Sequence, residues 1–160
     1  MTVIASADLG NAIAGGVGSR VRVTKSDSQS IDLNSTEVVT WNTEQFDTDG
    51  WFTAGGSVFT VPTGQAGLYS IDAGVILNTL PGNASYGINI EINGTTIMGT
   101  GTSATNSAAL STAPNTPKLS CSLTVELLAT NTIELTGQTL TNTITIDYAE
   151  ITIVRIGPTV

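Results

Sequence analysis

Residues 40–71 read TWNTEQFDTDGWFTAGGSVFTVPTGQAGLYSI, and the large apolar side chains of the chain are concentrated there. The stretch contains both tryptophans and the first tyrosine, Tyr69, and phenylalanines lie on either side of its acidic turn. Aromatic side chains bury the most area per residue, so this concentration predicts the densest part of a hydrophobic core. The order of residue types predicts a strand, an acidic turn, a strand, a Pro-Gly corner and a further strand.

The composition of the whole chain favours one all-β domain. With 160 residues the chain is long enough to bury a substantial single core. Only 11% of the residues are charged, against about 25% in typical globular domains. Threonine, which is abundant, favours strands, and the many Gly, Asn and Ser residues favour turns. So low a charge also indicates that part of the surface contacts protein.

The net charge of −8, from 13 acidic and 5 basic residues, argues against binding to nucleic acid. Phosphate contacts require clustered Lys and Arg side chains. Three of the basic residues, Arg20, Arg22 and Lys25, do lie close together in sequence. They form either a solvated strand face or an anchor for an acidic partner surface.

No membrane or secretion signal is predicted. No apolar run approaches the roughly 18 residues that a spanning helix needs, and the N-terminus lacks the basic segment of a signal peptide. The single cysteine, Cys121, excludes an intrachain disulfide and alternates with polar residues, so it is expected to be a core thiol. We expect a protein that is made and used in a cytoplasm, or released from one by lysis.

From Arg20 onward the apolar residues recur with a period of two, which is typical of strands with one buried face. About eight to ten short antiparallel strands are predicted, which favours a β-sandwich or jelly roll. Three inward rows are clearest: Tyr69, Ile71, Ala73, Val75 and Leu77; Tyr86, Ile88, Ile90 and Ile92; and Leu119, Cys121, Leu123, Val125 and Leu127.

Local signals add detail to this outline. Asn93-Gly94 predicts a type I′ hairpin, because both central residues of that turn need positive φ. The apolar phase shifts within residues 144–156, which predicts a β-bulge near Ala149 or a strand buried on both faces. Residues 99–117 lack periodicity and are expected to form an exposed loop.

Residues 1–19 differ from the rest of the chain, being rich in Ala and Gly, and are interpreted as a docking arm ahead of a jelly-roll domain at 20–160. The residues expected to contact a partner surface are the apolar ones of the arm and the basic ones that follow it. They are Val3, Ile4, Leu9, Ile13, Arg20, Arg22 and Lys25.

The order of these features resembles a known family. An R-V-R-V strand, then F-D-T-D-G at 46–50, F-T-V-P at 59–62, G-L-Y at 67–69, an I-x-I-N-G segment and a final strand ending in R-I-G resemble the globular-head jelly roll of complement and tumour necrosis factor proteins. The resemblance covers about residues 20–157 and is strongest to the bacterial and bacteriophage branch.

The resemblance implies a ten-stranded jelly roll that forms compact trimers through apolar and aromatic side chains near the threefold axis. Members act as ligands, as receptor-binding tips or as virion decoration, and catalysis is not their usual role. No collagen-like stalk is present, which favours a phage protein over a secreted animal one. The aromatic residues expected in the core or the trimer contact are Trp41, Phe46, Trp51, Phe52, Phe59, Tyr69 and Tyr148.

Catalytic sites are disfavoured by the residue types present. The chain has no histidine, which excludes Ser-His-Asp and Cys-His catalytic sets and the common zinc sites. A pair of carboxylates could still serve as acid and base, but the acidic residues are scattered singly over predicted turns and outward positions. We therefore expect no enzymatic activity, cofactor or metal site.

Two alternatives concern the opening stretch. Asp47 and Asp49 with Gly50 have the look of half a calcium loop, but no bidentate Glu follows, and a structural turn in which Asp side chains accept backbone N–H groups is preferred. The aromatic residues could line a sugar-binding patch, although core and trimer packing is preferred. Trp51 and Phe52, if extended, point to opposite faces, so one of them is expected to be exposed or at an interface.

The sequence thus predicts a homotrimeric phage virion protein, a capsid decoration or cement protein that docks on the major capsid protein or another virion protein. The alternative is a receptor-binding module of a tail or head fibre that recognises a host-surface glycan through the 99–117 loop.

Overall fold

The computed structural model describes residues 18–78, 85–96, 102–105, 117–140 and 142–159. Within these segments the chain forms strands and turns and no helix. The strands are β1 Arg20–Lys25, β2 Gln29–Ile31, β3 Thr36–Val38, β4 Thr43–Asp47, β5 Phe59–Thr60, β6 Gly67–Leu77, β7 Ser85–Ile92, β8 Thr95–Thr96, β9 Thr102–Thr105, β10 Lys118–Leu127, β11 Thr132–Thr139 and β12 Ile144–Gly157.

The strands form two antiparallel sheets. Sheet A has the order β10-β6-β12-β1-β4, with β2 also paired to β12. Sheet B has the order β3-β11-β7-β8, with β5 paired to β11 and β9 paired to β7. The predicted all-β jelly-roll sandwich is confirmed. The structure has more strands than predicted because strands of two or three residues, such as β5 and β8, are too short to show an alternating pattern in the sequence.

The core lies between the sheets, and the predicted inward rows supply much of it. Every residue of the Tyr69 to Leu77 row is at most 5% exposed, since alternate residues of a strand point to the same face. Tyr86, Ile88 and Ile90 are likewise buried. The third row is buried at both ends, while Leu123 and Val125 are half-buried because β10 is an edge strand.

The predicted hairpin and bulge are both present. Asn93 and Gly94 have φ values of 53° and 69°, and β7 turns directly into β8 there. The register between β12 and β6 shifts between Ile146 and Tyr148, so the bulge lies at Asp147, close to the position predicted. Beyond it, Ala149, Ile151 and Ile153 resume the inward row.

Candidate assembly surface

The outer face of sheet A interleaves apolar, small and charged side chains. On β6 the residues that point outward are Leu68, Ser70, Asp72, Gly74 and Ile76, because the intervening residues are buried. Their cross-strand neighbours, on β10 and β12, extend this face on both sides.

Five of the seven aromatic residues expected in the core or the trimer contact are buried in the core. They are Trp41, Trp51, Phe52, Phe59 and Tyr69, none of which is more than 9% exposed. Phe52 stacks on Phe59, with ring centroids 5.4 Å apart, and Trp51 meets Tyr69 edge-on at 5.1 Å. Because these side chains are buried, they do not form the sugar-binding patch considered above.

The two remaining aromatic residues both lie on the outer face of sheet A. Phe46 is half-buried and stands opposite Arg22, and the guanidinium carbon of Arg20 lies 5.0 Å from the centre of its ring. Tyr148 is also half-buried and stands opposite Ile76. The surface aromatic residues of the described segments therefore lie on one face, Phe46 on edge strand β4 and Tyr148 on the central strand β12.

The expectation that Trp51 or Phe52 is exposed is wrong. It assumed an extended strand, whereas residues 51–58 form turns and irregular structure, so alternation does not apply. Trp51 Nε1 donates a hydrogen bond of 2.8 Å to Ser19 Oγ, which is itself buried. Both rings thus enter the same core.

The basic residues at the start of the domain do not form one patch. Lys25 is 2% exposed, and its Nζ donates to Asp27 Oδ1 at 2.8 Å and to Thr40 Oγ1 at 3.2 Å. Its predicted role as a docking residue is therefore wrong, because residue 25 falls on the inward side of β1, in phase with Val21 and Val23. Only Arg20 and Arg22 point outward, and Arg22 forms an ion pair with Glu150.

A groove of about 440 Å³ runs across the centre of the outer face of sheet A. The absent side chain of Gly74 and the short side chains of Ser120, Ser122 and Thr152 create it, and Asp72, Arg22 and Glu150 supply its charges. A neighbouring hollow of about 320 Å³ shares Gly74, Ser120 and Glu150 with the groove and ends at Ile76, Lys118 and Tyr148. Because they share these residues, the two depressions are adjacent, and together, as the channel, they extend over this face from Lys118 to Asp72.

Cys121 lies beneath this channel and behaves as the core thiol that was expected. It is 7% exposed, and burial, with a smaller contribution from the charge of Asp72, raises its pKa to about 11. A thiol with so high a pKa is almost fully protonated near neutral pH and is a poor nucleophile.

The acidic turn is stabilised as predicted for a structural turn. Asp47 Oδ1 accepts the backbone N–H groups of Asp49 and Gly50 at 3.2 and 2.9 Å, and its Oδ2 accepts that of Phe52 at 2.9 Å. Gly50 adopts a φ of 76°, which favours glycine. The FDTDG segment therefore bends the chain from β4 into the aromatic core.

The start of the domain is fixed against the end of β12. Ser19 O accepts a hydrogen bond of 2.8 Å from the backbone N–H of Arg155. A Cβ at Gly18 would lie only 2.6 Å from Arg155 O, so the two chain segments touch. The predicted arm residues Val3, Ile4, Leu9 and Ile13 lie outside the described residues. Of the predicted 99–117 loop, residues 102–105 and 117 are described. Residues 102–105 form strand β9, paired with β7, so the expectation of a loop is wrong there, because so short a strand shows no period in the sequence.

The described residues contain neither a metal-binding cluster nor a membrane-spanning helix. In the described part of the chain, no three Cys, Asp or Glu side chains are grouped so that they could hold a metal ion. None of the described residues belongs to a helix of the length and apolar character needed to cross a bilayer.

Comparison with solved structures identifies the architecture. The globular domain of zebrafish complement 1qA superposes with a TM-score of 0.60 at 12% sequence identity, over 88% of this chain and 98% of that domain. The fold is a C1q/TNF-like jelly roll. Vertex protein P5 of phage PRD1 matches with a TM-score of 0.57 at 16% identity, over 89% of this chain and 100% of P5. Eiger TNF from S. frugiperda matches with a TM-score of 0.55 at 13% identity, over 90% and 94% of the two chains.

At such low identities the likeness concerns the fold. No protein-family model matches the sequence, and no curated protein is significantly similar to it.

Proposed function

We propose that this chain is a non-enzymatic structural protein of a bacteriophage virion, a homotrimer that decorates and stabilises the capsid shell. The observation that carries the trimer is the outer face of sheet A, which holds both half-buried surface aromatic residues of the described segments and a channel of small side chains. In a single chain a face of this kind exposes apolar area to water, and association with other copies buries that area.

The phage assignment is supported by the FDTDG and R-I-G segments and by the likeness to a phage vertex protein over its full length. In this proposal the chain is assembled in the bacterial cytoplasm and docks on the major capsid protein or another virion protein. A rigid trimer that bridges neighbouring shell subunits stabilises the assembled state by mass action, because its contacts exist only there.

Size-exclusion chromatography with light scattering tests the trimer. The expected mass is three times that of the 16.4 kDa chain. Tyr148→Glu, which places a charge on the outer face of sheet A, should weaken the trimer at least about tenfold, since burying an unpaired charge in an interface is costly. A wild-type protein that remains a single chain at high concentration contradicts the proposal.

The control for this test is Gln138→Glu, which adds the same charge to the outer face of sheet B. Gln138 lies opposite Gly87 and Thr36 on that sheet. This variant should leave the trimer unchanged.

A receptor-binding role is the second candidate, and one observation favours it. Leu33 and Leu140 are 51% and 62% exposed, and both lie at the end of the sandwich remote from Ser19, where Thr139 N–H donates to Ser35 O. Binding of host-cell extracts that is lost in a Leu33→Ser, Leu140→Ser variant, with shell binding retained, would favour this role over decoration.

A further inference from the structure

Two charged groups stand at opposite ends of the channel on the outer face of sheet A. Lys118 is exposed at the start of β10 and, within the described residues, forms no ion pair. Asp72 is exposed on β6, and its carboxylate accepts a hydrogen bond of 3.2 Å from Ser70 Oγ. Among the described residues, neither of these charges has a partner of opposite sign.

The two groups do not pair within one chain. Lys118 stands opposite Ile76 in the register of β10 with β6, and Asp72 lies four residues further along β6. At roughly 3.3 Å a residue this is a separation of about 13 Å. Both side chains stand roughly perpendicular to the sheet, so neither leans far enough to close that distance.

The charge of the groove favours a cation as its occupant. Glu150 is already paired with Arg22 at 2.8 Å, which leaves the Asp72 carboxylate as the uncompensated charge. The space above Gly74 is open, since a Cβ there would meet no atom closer than 3.6 Å. The groove beside Asp72 therefore has room for the side chain of an incoming lysine.

We propose that Lys118 of one copy inserts into the Gly74 groove of the next copy and forms an ion pair with Asp72 there. A closed ring joins two different patches of each chain. Here the patches are the Lys118 end of edge strand β10 and the groove over β6, and every copy supplies both. The inference rests on the proposed trimer and assigns its specificity to one pair of charges.

A charge swap tests the pair. Lys118→Glu and Asp72→Lys, made separately, should each raise the dissociation constant of the trimer at least about tenfold, measured by sedimentation over a dilution series. The double variant Lys118→Glu/Asp72→Lys restores opposite charges and should return to within about threefold of wild type. Both residues are exposed, and near-UV circular dichroism checks that each variant is folded.

Glu134→Lys is the matched control. Glu134 stands opposite Glu91 on the outer face of sheet B, so its reversal changes the net charge as Asp72→Lys does but on the other sheet. It should leave the trimer unchanged.

If the wild type forms a trimer but the double variant does not regain its affinity, the ion pair is wrong and the proposed trimer is unaffected. A wild-type protein that never associates overturns both. Filling the groove gives an independent measure: Gly74→Val should fold, because the space is open, and should weaken association about as much as the single reversals. Undiminished association of Gly74→Val would also overturn the inference.

Discussion

Gly67 opens β6 at the corner after Pro62, and the side chain of Arg155 occupies the space beside it. A Cβ at position 67 would lie 2.5 Å from both Arg155 Nε and Gly157 O. Arg155 also donates to Gln65 Oε1 at 3.3 Å and to Ala66 O at 2.7 Å, and Tyr69 Oη donates to Gln65 O. The final R-I-G segment thus packs against the corner that precedes the inward row of β6 and holds it in place.

Gly67→Ala should therefore lower the free energy of unfolding by about 1–3 kcal/mol, since the added methyl group forces backbone atoms apart. Gly74→Ala, on the same strand but with open space around it, should change that free energy by no more than about 0.5 kcal/mol. Urea denaturation of the two variants measures both values. Equal effects of the two substitutions would mean that the contact with Arg155 and Gly157 is not the reason why position 67 requires glycine.

In strand β1 the alternation of the backbone, and not the residue type, decides which side chains are buried. Its alternation directs Arg20 and Arg22 outward and Val21, Val23 and Lys25 inward. The Lys25 ammonium group reaches the rim of the core, where Asp27 and Thr40 compensate its burial. Asn42 Nδ2 also donates to Asp27 Oδ1 at 2.8 Å, so the Asp27 carboxylate joins two segments of the chain.

The hydrogen bond from Lys25 lowers the pKa of Asp27 below its ordinary value. A depressed carboxyl pKa contributes stability that is present above the ordinary value, near pH 4, and is lost as the pH falls through the lowered one. Wild type should therefore be more stable than Asp27→Asn at pH 7, with the difference shrinking below pH 4. Denaturation curves across this range check it, and a difference independent of pH would contradict the assignment.

At the scale of the whole molecule, both ends of the domain meet at one end of the sandwich. Gly18 and Ser19 pack against Arg155, and β1 lies beside β12. Residues 1–17 therefore continue from a fixed point remote from Leu33 and Leu140. In the decoration proposal this end faces the shell.

Deletion of residues 1–17 should leave the melting temperature and the trimer unchanged, because the contacts of Gly18 and Ser19 with Arg155 are retained. It should abolish co-sedimentation with capsid shells, since the proposed docking contacts of Val3, Ile4, Leu9 and Ile13 are removed. Retained attachment would show that the shell contact lies on the domain itself.

Much of the fold was predictable from local signals. The rows on β6 and β7, the Asn93-Gly94 hairpin and the Asp47 turn depend on residues close in sequence, so a period of two and a turn motif suffice to predict them. The candidate assembly surface was predictable only in part. Tyr148, Phe46, Arg20 and Arg22 were named, but Lys118, Asp72 and Gly74 lie on strands whose pairing is set by distant contacts.

The sequence by itself determined that this protein is a β-sandwich, because strand alternation and turn chemistry are encoded residue by residue. Only the tertiary structure decided which aromatic residues of the opening stretch are core and which are surface. Residues 51–58 leave the strand geometry, so Trp51 and Phe52 turn to the same side, and Ser19 accepts the indole N–H from across the fold. Burial of these rings depends on packing between residues far apart in the chain, which no local pattern records.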